Sequence, residues 1–423
     1  MVFVGPYEHQ SNEISWREGI ANVIEVSLDT QGGIDLEHLE SLLQDPAYQN
    51  RLRIGSFSAA SNVTGIISPV HDIARLLHRY NALAFFDYAA SAPYVAIDMN
   101  PADDQQQGDS SLDAIFISPH KFLGGPGASG ILVFNERTYH HELPPTLAAG
   151  GTVDYVGPRS HTFTADIETR EKGGTPGILQ TLTAALVFEI KERIGIETLE
   201  AREKVLTHRA LERWNSHPDI EVLGNPDPQR RVGIVSFNIK REGKHYLHPR
   251  FVTTLLDDLF GIQSRAGCSC AGPYGHQLLG INESRSEDYQ AWINKGYNGI
   301  KPGWCRVGFH YVFDDIEANF IIDAIEFIAE YGDRFLELYD FDPYSGIWRH
   351  KRAHPQESAF SVEEALALQQ QLPIEKSALS SEQREGLYRA YLDEARERAA
   401  SLPAADYHTL FPSIPDSELE QVY

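Results

Sequence analysis

Two short segments hold the residue types that could do chemistry. Asp87 closes the apolar run LAFF (83–86), and SPHKFLGGPG (118–127) directly follows the apolar run AIFI (114–117). Short apolar runs bounded by Gly, Pro or Asn read as buried strands, so Asp87 and Lys121 each fall at the end of one. Ligands of open α/β sheets collect outside the carboxyl ends of the strands, which directs both side chains to one crevice. A lysine desolvated there loses part of its preference for the charged form and becomes a better nucleophile toward an aldehyde. A carboxylate at the neighbouring strand end can keep a heteroaromatic nitrogen protonated, which makes the ring an electron sink. Ser118 and His120 can donate hydrogen bonds to a phosphate, and the glycines of GGPG allow a tight turn behind it. Singly, each piece has an ordinary reading: a capping Asp, a solvated Lys, a Gly-rich turn. Their succession at neighbouring strand ends is what points to a site.

The elements that must position these residues alternate along the first half of the chain. VIEVSL (23–28) leads into the helical IDLEHLESLL (34–43), and RIGSFSAAS (53–61) into VHDIARLLHRYN (70–81). Next come LAFFDYAA (83–90), DAIFISP (113–119) and GILVF (130–134). This order predicts an α/β domain, a mostly parallel sheet with helices on both faces, over residues 1–175. A long helical stretch is expected from Ile178 through Trp214, because its apolar spacing meets no internal Pro. With IEVLG, RVGIVSFNI, FVTTLLDDLFG, QSRAG and NFIIDAIEFIAEYG it forms a smaller α/β domain over 176–332. Residues 333–423 read as a helical extension, with helices over VEEALALQQQL (362–372) and SEQREGLYRAYLDEARERAASL (381–402). The polar insert NPADDQQQGDSS (100–111) reads as an exposed loop.

Whole-chain properties exclude more than they name. A formal charge of -24 argues against non-specific nucleic-acid binding, which needs clustered cations. No apolar run is long enough to span a bilayer. The three cysteines, Cys268, Cys270 and Cys305, cannot build a disulfide framework and fit a reducing compartment. The first residues show neither a basic region nor a sustained apolar one, so no secretory signal is visible and the cytoplasm is expected.

FFDYAASAPY followed by SPHKFLGGPG resembles the class V aminotransferase and cysteine desulfurase family, fold type I of the pyridoxal phosphate enzymes. The likeness runs from about His9 to Gly332. It implies a Schiff base between pyridoxal phosphate and Lys121, with Asp87 on the pyridine nitrogen and Ser118 and His120 on the phosphate. EHQSNEISWRE is similar to the family segment whose histidine, here His9, stacks on the ring. SNVTGIISPV is similar to the one whose asparagine, here Asn62, touches the ring hydroxyl or the substrate carboxylate. GGTP (173–176) resembles the motif whose threonine, here Thr175, reaches the phosphate of an adjacent subunit, which implies a homodimer; by itself Thr175 could also cap a helix starting at Pro176. WCRVGFHYVFDD resembles the segment whose arginine, here Arg306, grips a substrate α-carboxylate in a bidentate pair. Two features depart from the family. Ala90 stands where a Gln or His usually faces the ring oxygen, and the chain starts almost at the histidine segment, which reads as a large domain incomplete at its amino terminus.

QSRAGCSCAG (263–272) bears on the reaction. In desulfurases a cysteine after an Arg-x-Gly segment takes the substrate sulfur as a persulfide, and Cys270 has that spacing; Gly-Cys-x-Cys also resembles molybdenum cofactor sulfurases. A thiolate is required, and Arg265 is a suitable cationic neighbour. The resemblance thus implies a cysteine desulfurase-like enzyme acting on a small amino acid, with a possible sulfur-acceptor protein as partner. An aminotransferase or lyase with Cys270 idle, and a non-catalytic remnant serving as a scaffold, remain open. No metal site is expected, since three cysteines with His276 nearby do not match zinc-ligand spacing.

Overall fold

A computed structural model describes residues 1–102, 108–241, 246–353, 361–368 and 379–404. Residues 103–107 of the polar insert and 369–372 of the segment VEEALALQQQL lie outside the described residues. The chain divides into two compact units, one of residues 1–205 with 227–232 and one of residues 206–226 with 233–423.

The first unit is built on a six-stranded sheet. Strands β1 (Val2–Val4), β2 (Val23–Glu25), β3 (Ile54–Ser58), β4 (Leu83–Asp87), β5 (Ala114–Ile117) and β6 (Ile131–Phe134) lie in the order β2-β1-β3-β4-β5-β6. All neighbours are parallel except the edge pair β5 and β6. The chain leaves β1 toward β2 on one side and returns to β3 on the other, so the order reverses at β1, where such folds open a crevice. β1 was not expected, because three apolar residues at a terminus give too short a pattern to read. Between the strands run α1 (Ile14–Arg17), α2 (Leu36–Gln44) and α3 (Val70–Arg79). Asp35 starts α2 by accepting from the Glu37 and His38 N–H groups. α3 buries Ile73, Ala74, Leu76 and Leu77, each large one contributing roughly 1.5–3 kcal/mol, and packs on β4 with α2 beside it.

The sheet is mostly parallel, as the sequence implies, but its faces are not equally covered. The register aligns Ile54 with Leu83, Phe85 with Ala114, and Phe116 with Leu132. These residues share the face away from Phe57, Phe86 and Ile115, and they line an open cleft. After β6 come a hairpin, β7 (Val153–Val156) with β8 (His161–Phe163), and α4 (Ile167–Arg170). The expected long helix is two, α5 (Ile178–Ile194) and α6 (Ile196–Asn215), because Gly195 at φ 85° stops the first.

The second unit is a four-stranded antiparallel sheet in the order β11-β12-β10-β9, made of β9 (Ile220–Val222), β10 (Ile234–Ile239), β11 (Arg265–Gly267) and β12 (Trp304–Gly308). α7 (Pro249–Phe260) packs on β11 and β12. α8 (Gly272–Leu278) and α9 (Glu283–Asn294), both unexpected, precede β12, and α10 (Asp315–Tyr331) follows it behind an Asp314–Glu317 capping box. The expected helical extension contains an unexpected hairpin, β13 (Tyr339–Asp342) with β14 (Ile347–His350), then α11 (Val362–Leu368) and α12 (Ser381–Ala400). It is not an appendage. Trp348, Leu392, Ala395 and Ala399 join Phe251, Leu255 and Phe327 in one apolar core. Among the described residues no helix is long and apolar enough to cross a membrane.

Candidate active site

The cleft in the first unit encloses about 1250 Å³ and is lined by His9, Asn62, Asp87, Ser118, His120 and Lys121. Six of the nine residues singled out in the sequence therefore meet on one surface. Each arrives there for a local reason. His9 follows β1, and Asn62 lies in the turn after β3. Asp87 is the last residue of β4. Ser118 ends the run of β5, and Lys121 closes a single 3-10 turn over Pro119–Lys121. Gly125 then folds back so tightly that a Cβ there would sit 2.0 Å from the Pro119 carbonyl oxygen. The GGPG tract is thus required by packing behind the lysine.

Burial pushes the Asp87 carboxyl above its ordinary range. The Ala89 N–H, which donates to Oδ1 at 2.8 Å, and the positive charges of Lys121 and His9 pull it part of the way back. A carboxylate that stays raised with these partners present still has room for a further cation, and a protonated ring nitrogen supplies one. The cleft also has the volume, the apolar floor of Phe85 and Phe116, and the hydroxyl and imidazole donors that a phosphorylated aromatic aldehyde needs. The residues present fit pyridoxal phosphate. One expectation needs correction: Lys121 is exposed, so the chain itself does not desolvate it. The physical reason is the open side of the cleft, where Leu52 and Leu132 are more than half exposed.

Residues the sequence reading missed hold this arrangement from behind. Glu8 is fully buried beneath the crevice, where Oε1 accepts from the Ser58 N–H (2.9 Å) and the Gly5 N–H (3.2 Å). Its Oε2 accepts from Ser58 Oγ (2.7 Å) and Asn12 Nδ2 (2.7 Å). Gly5 permits this approach, since a Cβ there would lie 2.7 Å from Glu8 Oε1. Burial raises the Glu8 carboxyl from 4.5 to about 7, against the Ser58 and Asn12 hydrogen bonds and with Asp87 adding to the rise. A raised carboxyl gives stability that is complete below pH 4.5 and lost as pH climbs through 7. Glu8→Gln is therefore expected to flatten the pH dependence of urea unfolding between pH 5 and 8. The wild type should lose on the order of 3 kcal/mol more than the variant over that range. Equal slopes for the two proteins would contradict a neutral Glu8. Lys191 of α5 donates to the Ala92 and Val95 carbonyls, both at 2.6 Å. It ties α5 to the loop after β4, and burial lowers its ammonium to about 8.

The other three sequence candidates lie elsewhere. Thr175 is exposed ahead of α5, and it does not cap that helix, whose N-cap is Gly177 without a side-chain bond. Cys270 and Arg306 belong to the second unit. Arg306 stands directly opposite Arg265 across β11 and β12, so two guanidinium stems leave one face together. Opposed like charges destabilise a ladder, and an anion between them removes that penalty. Cys270 is half-buried, whereas Cys305 is buried, donates to the Pro249 carbonyl at 3.2 Å and has its thiol pushed up by burial. Cys305 is structural.

A family model described as aminotransferase class-V matches residues 1–315. A probable cysteine desulfurase of Halalkalibacterium halodurans is 32% identical over 276 residues, 64% of this chain and 62% of that protein. A cysteine desulfurase of Haloferax volcanii is 28% identical over 281 residues, 66% of this chain and 60% of the relative. The chain thus spans about three fifths of the length of these curated relatives. Among solved structures, apo cysteine desulfurase from Thermococcus onnurineus is similar with a TM-score of 0.62 at 24% identity, covering 78% of this chain and 72% of that one. A cysteine desulfurase from Escherichia coli, in an S-sulfonic acid form, gives 0.60 at 21% identity over the same shares. At these identities the structural likeness speaks for the fold.

Proposed function

Because this chain belongs to the class-V aminotransferase family, we propose that it uses pyridoxal phosphate to take the sulfur from cysteine, leaving alanine. The observation that carries this reading is the placement of Lys121 and Asp87 on one cleft at neighbouring strand ends. When bound, the cofactor supplies an electron sink for the carbanion formed at the substrate Cα. The chain's own residues do the rest. Asp87 would hold the proton on the ring nitrogen, and His9 would take the ring. Ser118 and His120 take the phosphate, with Asn62 toward the ring hydroxyl or the substrate carboxylate. Lys121 Nζ would take the Cα proton and return a proton to carbon. Cys270 takes the sulfur: the carbon–sulfur bond of cysteine breaks, a sulfur–sulfur bond forms on Cys270, and carbon gains the proton. Arg306, with Arg265 beside it, receives the α-carboxylate as a charge-assisted pair.

Further parts of the reading concern surroundings. Thr175 is assigned to the phosphate of an adjacent copy in a homodimer. The exposed apolar stripe of α5 next to it, Ile178, Leu182 and Leu186, supports a covered face there. Three free thiols support a reducing cytoplasm, and the likeness to cysteine desulfurases supports a protein acceptor for the sulfur.

Incubation of the chain with cysteine and pyridoxal phosphate tests the reading. Alanine and a protein persulfide are expected. With Cys270→Ser the persulfide should vanish and alanine release slow by roughly tenfold, since a hydroxyl does not replace the thiolate. Amino transfer that depends on a keto acid, with the cysteine variant unaffected, would instead make the chain an aminotransferase.

A further inference from the structure

Cys268 and Cys270 flank Ser269 in a turn with an unusual backbone. The Ala271 N–H donates to the Cys268 carbonyl at 3.1 Å, closing a four-residue turn. Its two central residues, Ser269 (φ 53°) and Cys270 (φ 58°), both lie in the left-handed region. Such turns normally take Gly, Asn or Asp at those positions, and each non-glycine residue held there costs roughly 1–2 kcal/mol. Apart from Asn81, they are the described non-glycine residues with positive φ.

The geometry has a chemical consequence. A left-handed residue is as compact as a helical one, so the Cα atoms on either side of Ser269 are about 5.4 Å apart. That lies inside the range of roughly 4.4–6.8 Å that a disulfide spans. An extended Ser269 would hold them near 7 Å, beyond easy bridging. Ser269 is buried, at 4% exposure, whereas both flanking cysteines are half-buried and reachable. The turn is anchored through its centre and presents a thiol on each side. β11 feeds into it directly, with Arg265 at the strand start and Arg306 opposite.

We propose that Cys268 is the resolving thiol of a dithiol pair, attacking the persulfide on Cys270 at its inner sulfur. This rests on Cys270 as the sulfur acceptor. The bond between Cys270 Sγ and the outer sulfur breaks, and its electron pair leaves with the outer sulfur as hydrosulfide, which takes the Cys268 proton. A Cys268–Cys270 disulfide forms. The outer sulfur gains one electron in becoming sulfide and Cys268 Sγ loses one, while Cys270 Sγ keeps its oxidation state, so no outside oxidant is needed. An external thiol or dithiol then returns the pair to its reduced form. The small ring and strained turn make the disulfide labile, as a bond that must reopen each cycle requires.

The test uses inorganic polysulfide as the sulfur donor to the reduced, full-length chain without added thiol, and so bypasses Lys121. In wild type the peptide carrying the pair should become about 2 Da lighter than the dithiol, with sulfide released. In Cys268→Ser and Cys268→Ala it should stay about 32 Da heavier as a persulfide, and sulfide release should fall roughly tenfold. Cys305→Ser should behave as wild type. A persulfide that persists in wild type, or unchanged sulfide release from both Cys268 variants, overturns the proposal. Disulfide closure with polysulfide but no alanine from cysteine would overturn the desulfurase reading and leave the dithiol standing.

Discussion

Lys121→Ala is expected to lower alanine release from cysteine by at least ~10³-fold, about 4 kcal/mol of barrier, without disturbing the fold. The side chain is exposed in the cleft, so its removal should shift stability by no more than about 0.5 kcal/mol. The loss is chemical, because among the described residues lining the cleft Lys121 is the one lysine. Lys191 of α5 has its ammonium committed to the Ala92 and Val95 carbonyls, and freeing it would unpair both. Wild type mixed with pyridoxal phosphate should give a yellow product that borohydride fixes to the peptide containing Lys121, and the variant should not. Alanine release within tenfold of wild type from a variant with an unchanged unfolding curve would remove the lysine from the mechanism.

What the sequence disclosed about this site followed from how strongly each piece is punctuated. β4 and β5 were readable because an apolar run stops abruptly at Asp87 in one and at Ser118-Pro119 in the other. The glycines after Lys121 were readable as a turn, although the steric demand at Gly125 emerges only from its approach to Pro119. β1 escaped because Val2–Val4 is too short for a periodicity, and with it went Glu8. A glutamate beside a histidine near a chain terminus has no pattern that marks it as buried; its environment is made by Ser58 and Asn12 from two other elements. The Gly195 break was visible as a residue but not as a stop, since glycine inside a helical pattern is often tolerated. The β13–β14 hairpin was obscured by the Pro and Asp between its neighbours. The exposure of Lys121 lay beyond any local pattern, because it depends on what covers the distant end of the sheet face. Sequence thus placed the candidate residues at strand ends, while burial and its electrostatic results had to come from three-dimensional packing.

Those results give Asp87 an effect whose two readouts should move in opposite directions. Asp87→Asn keeps the shape and an oxygen to accept the Ala89 N–H bond, but removes the charge. Alanine release should drop by roughly 10–10³-fold, the cost of losing one to three pKa units of support for a cation on the ring nitrogen. Stability should not follow it down. Because burial raises the Asp87 carboxyl despite Lys121 and His9, its ionised form weakens the fold as pH rises through the folded pKa. At neutral pH the uncharged variant should therefore melt at the same temperature as wild type or higher. The same sign holds for Glu8, to whose rise Asp87 adds, so Asp87→Asn should also ease ionisation of Glu8. A structural carboxylate behaves otherwise: Asp113, which accepts from His78, Arg137 and the Ala84 N–H, is held below its ordinary range, and losing its charge should weaken the fold. An Asp87→Asn protein with a lowered melting temperature and full activity would place Asp87 in that second class and take the ring nitrogen's partner away from the cleft.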